Sequence, residues 1–491
     1  MGALLQWGEW LPDTSDYEGT QAHNILNVLP RGDGYGPFPD YASLTQSLPG
    51  PCRGAFYALK SDGSVVIFAA TSTKLYQLNS TTFGWTDVSL SAGSYSALTA
   101  TAQWQFAQTG DLVFATQANV SLQVFKLSTS SAFELALGSP PPAAYISVVG
   151  RFLVLSGLLS NPYRIQWSGL NNFNTSTSWD NSTLNSSFQD FPDGGIVRGI
   201  GGGEFGTIFQ YLAIRSMSFI PGSSIIFQIE RITQDMGLYA PYSIIRGGST
   251  IYFYSNKGFY KVDPGQAPVQ IGREKVDRSF LLDLDRSNLQ LFMGAADPRS
   301  SRVFWAYKSV AGNAGLYDKI IGYDPALDRF FQVSMSGEYL LGISQPGITL
   351  EGLDTISSSL DAMTVSLDSY ASIIQPQISQ FNSTHNLGFF TGSNLEATIE
   401  SAEQGTSGSM IYINGFRPIT DAATVFGSVS WREAQNATPT QGSEIAMMAR
   451  TGMCNMRREA RYMRFKQRIP KGTTWSFSVG IETDPKLEGK T

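Results

Sequence analysis

From Phe56 onward the chain repeats one arrangement of apolar and polar positions. An apolar run is followed by a short turn, a second run ending in an aromatic and a polar residue, and a looser stretch with another aromatic. Residues 64–90, SVVIFAATSTKLYQLNSTTFGWTDVSL, and 111–137, DLVFATQANVSLQVFKLSTSSAFELAL, match part by part: VIFAAT with LVFATQ, LYQLNSTT with VFKLSTSS, FGWTDVSL with AFELAL. More divergent copies lie at 150–173, 207–232, 249–272 and 302–335. A period of about 45 residues, built from strand pairs with alternating polarity, marks an array of small antiparallel sheets. Asp62-Gly63, Pro221-Gly222 and Asp263-Pro264-Gly265 supply the turns. Such sheets protect their edges by closing radially, so the pattern predicts an all-β fold with a β-propeller of six to eight blades.

The expected boundaries are an N-terminal extended arm over 1–39, the propeller over 40–352, and a C-terminal β-rich domain over 353–491. The Ser-rich run TISSSLDAMTVSLDSYAS, 355–372, reads as a short helix or a linker. After it, runs such as SMIYINGFRPI, TVFGSVSWREA and RYMRFKQRI read as strands of a sandwich or barrel-like domain. Alternatively, some of these late strands complete or decorate the propeller.

Composition narrows the chemistry. Aromatics make up 12% and charged residues 15% of 491 residues, with a net charge of -6, which suits strands and large interfaces better than a generally basic nucleic-acid binder. Two histidines, His23 and His385, exclude multi-histidine metal sites, and neither stands beside a nucleophile motif. Cys52 and Cys454 form no disulfide framework. No catalytic, cofactor-binding or metal-binding residue is therefore expected, and no cofactor. The first residues, MGALLQWGEWLPD, do not read as a signal peptide, and no apolar run reaches the ~20 residues of a membrane helix. The sequons at Asn79, Asn119, Asn174, Asn181, Asn185, Asn382 and Asn436 are expected to be bare.

Two stretches carry candidate chemistry. Gly201, Gly203 and Gly206 spell G-x-G-x-x-G, with Glu230 downstream. A dinucleotide loop needs a helix after its glycines, because that helix's N-terminus holds the pyrophosphate. TIFQYLAIRSMSFI is instead rich in β-branched and aromatic residues and meets Pro221-Gly222, so the glycines read as a close-packed entry into a blade. The second stretch, 449–472, gathers basic residues in an acidic chain. Within it Met463, Phe465 and Ile469 alternate with Tyr462, Arg464, Lys466 and Arg468, which predicts an amphipathic strand with a cationic face. Arg457, Arg458, Arg461, Arg464, Lys466 and Arg468 are the candidate contacts to a DNA channel or a neighbouring subunit. The alternative is a solvated face or a ladder paired with nearby carboxylates. Asp277, Asp283 and Asp285 lack the glycine and terminal glutamate of a calcium loop and are expected to be surface charges or turn caps.

Three segments together carry a family likeness: WGEWLPDTSDYEGTQAHNILNVLPRGDGYGPFPDYAS, DGGIVRGIGGGEFGTIFQYLAIRSMSFIPGS and ITQDMGLYAPYSIIRGGSTIYFYSNKGFYKVD. With the basic β-rich end, they resemble the packaged-DNA stabilisation proteins, the tail hub or nozzle proteins of short-tailed bacteriophages. The likeness runs from about Leu11 to Thr483 and is clearest from Asp193 to Phe280. It implies a non-enzymatic component of the virion tail, a propeller-based subunit in a six-fold homo-oligomeric ring below the portal and its adaptor. Such a ring surrounds the exit channel with non-specific contacts to double-stranded DNA, retains packaged DNA, and docks tail fibres or a needle. The second reading is a receptor- or glycan-binding propeller of a phage tail, with blade-end aromatics stacking on sugars.

Overall fold

The computed structural model describes residues 3–17, 19–90, 93–182, 185–223, 225–344, 359, 376–405, 409–483 and 486–488. The Ser-rich run 355–372 lies, apart from Ser359, outside the described residues.

Among the described residues, seven four-stranded antiparallel sheets follow one another as blades. Blades 1 to 6 are formed by residues 55–87, 105–135, 143–190, 197–234, 245–270 and 293–337, each in simple strand order. The first strands of neighbouring blades pack side by side around one axis, with the turn Pro241–Ser243 between blades 4 and 6. Buried residues fill the seams: Phe68, Phe125 and Phe133 between blades 1 and 2, Phe152 and Phe227 between 3 and 4, and Phe209 and Phe253 between 4 and 5. The chain is thus a seven-bladed β-propeller, and the six sequence repeats correspond to its first six blades.

Blade 7 is composite. It takes Tyr339–Ser344, Pro376–Phe381 and Leu387–Asn394 from late in the chain and Pro39–Ser43 from its start, with Gly388 opposite Ser43 and Phe390 opposite Tyr41. Ring closure therefore depends on main-chain hydrogen bonds between distant segments, which removes an exposed edge.

The remaining strands build a β-sandwich. One seven-stranded sheet contains Val28–Arg31, Gly34–Pro37, Ser478–Thr483, Met410–Thr420 and Cys454–Ala460, with Ala3–Gln6 and Lys486–Glu488 attached. The other contains Ala22–Leu26, Ala397–Ser401, Tyr462–Ile469, Phe426–Arg432 and Thr440–Gln441, with Gln404–Gly405 and Ile445–Ala446. Their inner faces meet through Ile25, Ile399, Phe416, Val429, Met463, Phe465 and Ile481, and the Phe416 and Phe465 rings sit edge to face at 5.6 Å.

These connections keep the boundary expected at 39 but move the one expected at 352. The first residues are not an independent arm, because four of their strands belong to the sandwich. The late strands 376–381 and 387–394 belong to the propeller, as the alternative expectation had it. Alternation marks a strand but not its partner, and here the partners are hundreds of residues apart. The sandwich sits against the rim of blade 6, where Asn27 N–H donates to Gln332 O at 3.0 Å and Asn27 Oδ1 accepts from Ser334 N–H at 2.8 Å. Among the described residues no helix is long and apolar enough to cross a membrane.

Candidate functional site

The glycine stretch is a hairpin between Val197–Gly201 and Gly206–Gln210, with no helix after it. It lies against blade 3, where Gly203 bridges Val149 and Gly150 N–H donates to Gly203 O at 2.6 Å. A Cβ on Gly202 would run into the Val148 carbonyl, and Gly203 has φ +144° beside the Arg246 guanidinium. These glycines are required by close backbone approach, as their sequence context predicts.

The basic stretch forms two strands in different sheets. Arg457 and Arg458 lie on Cys454–Ala460, Arg461 sits where the chain crosses over, and Arg464, Lys466 and Arg468 lie on Tyr462–Ile469. The predicted alternation holds, with Met463, Phe465, Gln467 and Ile469 buried and the residues between them partly exposed. Arg464 donates to both Asp16 oxygens, at 2.9 and 3.1 Å, with both side chains mostly buried. Burial acts to raise the Asp16 carboxyl, but hydrogen bonds from His23 and Arg464 outweigh it and hold it well below the usual range. Arg468 pairs with Glu444 at 2.7 Å and Glu396 at 2.9 Å, above the Phe426 ring. Lys466 faces Glu400 and Ser428 in register, Arg458 stacks on Trp431, and Arg457 and Arg461 are exposed. Two of the six candidates are thus engaged by carboxylates of this same chain.

The remaining reactive side chains are also occupied. His23 meets Asp16 at 2.9 Å, and His385 Nδ1 meets Glu338 Oε1 at 2.6 Å, while the other Glu338 oxygen accepts from Cys52 N–H at 2.9 Å. Both thiols are buried; burial pushes the Cys454 thiol up to about 11 and Cys52 higher still, so neither is poised as a thiolate. Asp285 caps a turn through Ser287 N–H and pairs with Lys308 at 2.8 Å, which holds it down at about 2. Asp283 pairs with Lys319 at 2.7 Å. Asp277 differs from the expectation of a surface charge: it is half-buried, accepts from Phe259 N–H at 3.0 Å, and burial raises it to about 6. No group of three or more His, Cys, Asp or Glu that could hold a metal exists among the described residues.

A cavity of about 170 Å³ lies among the innermost strands, and the Tyr145 and Tyr242 rings meet beside it at 6.1 Å. The Tyr242 hydroxyl accepts from Gln103 N–H at 3.0 Å, and Gln103 Nε2 donates to Gln290 O. On the same side of the ring, the loops of blades 3 and 4 are bonded together, with Tyr211 N–H on Ile196 O and Val197 N–H on Pro162 O. These loops expose Leu159, Tyr163, Ile196, Tyr211 and Leu212, a patch that no sequence motif announced.

No protein-family model matches the chain. No curated protein matches it either. Solved structures resemble it at low scores. An extracellular domain of a one-component system from B. thetaiotaomicron is 9% identical with a TM-score of 0.41, covering 86% of this chain and 47% of that one. The WD40 repeats of RRP9 are 9% identical with a TM-score of 0.38 over 62% of this chain and 89% of that one. BamB from Moraxella catarrhalis is 9% identical with a TM-score of 0.34 over 65% and 88%. The chain spans about half the length of the first of these. The class, a seven-bladed propeller carrying a β-sandwich, rests on the chain's own sheet order.

Proposed function

We propose that this protein is a non-enzymatic, ring-forming subunit of a short-tailed phage tail, of the hub or nozzle kind. It encircles the DNA exit path below the portal and adaptor, retains packaged DNA and docks fibres or a needle. The sequence likeness supplies the class, and the apolar patch of Leu159, Tyr163, Ile196, Tyr211 and Leu212 is the observation that favours assembly. Exposed large apolar side chains gathered on neighbouring loops of one face favour a covering partner. The small axial cavity constrains the arrangement. A double helix, whose major groove alone is about 12 Å wide, cannot thread a cavity of this size, so DNA must pass between copies. Of the six candidate cations, Lys466, Arg457 and Arg461 are those that neither pair with a carboxylate nor stack on a ring among the described residues, and so are available to phosphates or to a neighbouring subunit.

The test is light scattering and negative-stain imaging of the purified chain, alone and with an adaptor ring. Closed rings are expected, and the double variant L159E/L212E is expected to stay monomeric with an unchanged circular dichroism spectrum. A wild-type chain that stays monomeric and ignores the adaptor, or a virion label on this chain outside the tail, would refute the assignment.

A further inference from the structure

A second cleft, of about 390 Å³, opens at the mouth of the axis on the side of the blade 3 and 4 loops. Its lining includes Arg198, Arg286, Tyr145, Tyr242 and Gln290, and no carboxylate. In a chain of net charge -6 this is a local reversal of sign. Arg198 is fixed in place, donating to Tyr239 O at 2.8 Å with its guanidinium 4.4 Å from the centre of the Tyr211 ring. Arg286 is exposed and has no ion-pair partner among the described residues.

Hydrogen bonding also fixes which amide atoms lack partners. Asp285, held ionised by Lys308, can only accept, so Asn288 turns its Nδ2 toward it at 2.8 Å. Asn288 Oδ1 therefore faces Gln290 and accepts from its Nε2 at 3.1 Å. Gln290 Oε1 is left buried without a donor, and so is Oε1 of Gln103, whose Nε2 donates to the Gln290 carbonyl. Gln290 Oε1, a buried acceptor without a donor in a cleft lined by two guanidiniums and two tyrosine rings, leaves an incomplete set.

We infer that this mouth binds a sugar acid, a polyhydroxylated ring bearing a carboxylate, presented as a residue of an acidic glycan. The carboxylate meets Arg286 and Arg198, a hydroxyl group donates to the Gln290 amide oxygen, and the apolar ring face lies on tyrosine. A bare anion leaves that acceptor unsatisfied. A neutral sugar leaves the guanidiniums unpaired, and an amino acid brings an ammonium toward two cations. The volume suits a single ring, and the open side of the cleft leaves room for chain extension. The inference does not depend on the assembly role, since a monomer would bind the acid equally.

The test is calorimetric titration of the full chain with glucuronate, N-acetylneuraminate and a trigalacturonate, against glucose, acetate and glutamate. Saturable binding of the sugar acids is expected, with the trisaccharide at least as tight as a single ring and each control weaker by about tenfold or more. R286Q, an exposed change, is expected to weaken the acids by about tenfold and leave thermal stability unchanged. Q290M is expected to weaken sugar acids but not acetate. Acetate, glucose or glutamate binding as tightly as glucuronate would overturn the inference. So would an unaltered R286Q variant, absent sugar-acid binding, or loss of binding on chain extension.

Discussion

Replacing Arg464 with Gln tests whether the basic strand is a structural ladder. In the fold, Arg464 gives two charge-assisted hydrogen bonds to Asp16, with side-chain exposures of 13% and 16%. Hydrogen bonds to charged groups contribute about 1.5–3 kcal/mol each, and loss of a partner leaves Asp16 desolvated with only His23 beside it. Gln can restore one neutral bond, so the net cost expected for R464Q is about 2–3 kcal/mol. A double-mutant cycle with D16N should give a coupling of about 1–3 kcal/mol, because both single changes break one interaction. K466Q, whose side chain has no carboxylate within salt-bridge range among the described residues, should stay within about 0.5 kcal/mol of wild type. The Asp16 carboxyl is depressed in the fold, so its stabilisation is complete above its ordinary value near 3.9 and is lost as pH falls through the lower folded value. The gap between wild type and R464Q should therefore be full at neutral pH and narrow in acid. Urea denaturation at several pH values measures both effects. Equal midpoints for R464Q and wild type at pH 7, or a gap that widens in acid, would refute the reasoning.

Asp277 should act with the opposite sign. Its folded value is raised to about 6, so wild-type stability falls as pH rises from about 4 to 6. D277N should flatten that slope in melting-temperature scans. Gly202→Ala should cost about 1–3 kcal/mol, read by the same urea midpoints, because the Val148 carbonyl occupies the space its methyl group needs. Wild-type protein should show no thermal shift with NAD or ATP, and a saturable shift would restore the phosphate-loop reading of Gly201, Gly203 and Gly206.

Blades 1 to 6 were legible in the sequence because each is built from hairpins between neighbouring segments, and local alternation records local pairing. Blade 7 was not, since Pro39–Ser43 pairs with Leu387–Asn394 and neither segment names the other. The same limit explains the basic strand. Its alternation predicted which side chains would be buried, but Asp16, its main partner, is 448 residues away. The axial mouth left no trace in sequence, because Arg198 lies on the first strand of blade 4 while Arg286 and Gln290 lie in the connection between blades 5 and 6, and the two segments become neighbours only once the ring has closed.

The sandwich draws its strands from both ends of the chain, with the whole propeller inserted between them. During synthesis, residues 3–37 leave the ribosome before the propeller, yet they have no sheet to join until 397–483 have followed. Until then several apolar strands must be kept from pairing elsewhere, while the blades can form in order as they emerge. Completion of the sandwich therefore waits for residues 397–483, and removing those strands should leave the segment 3–37 unpaired.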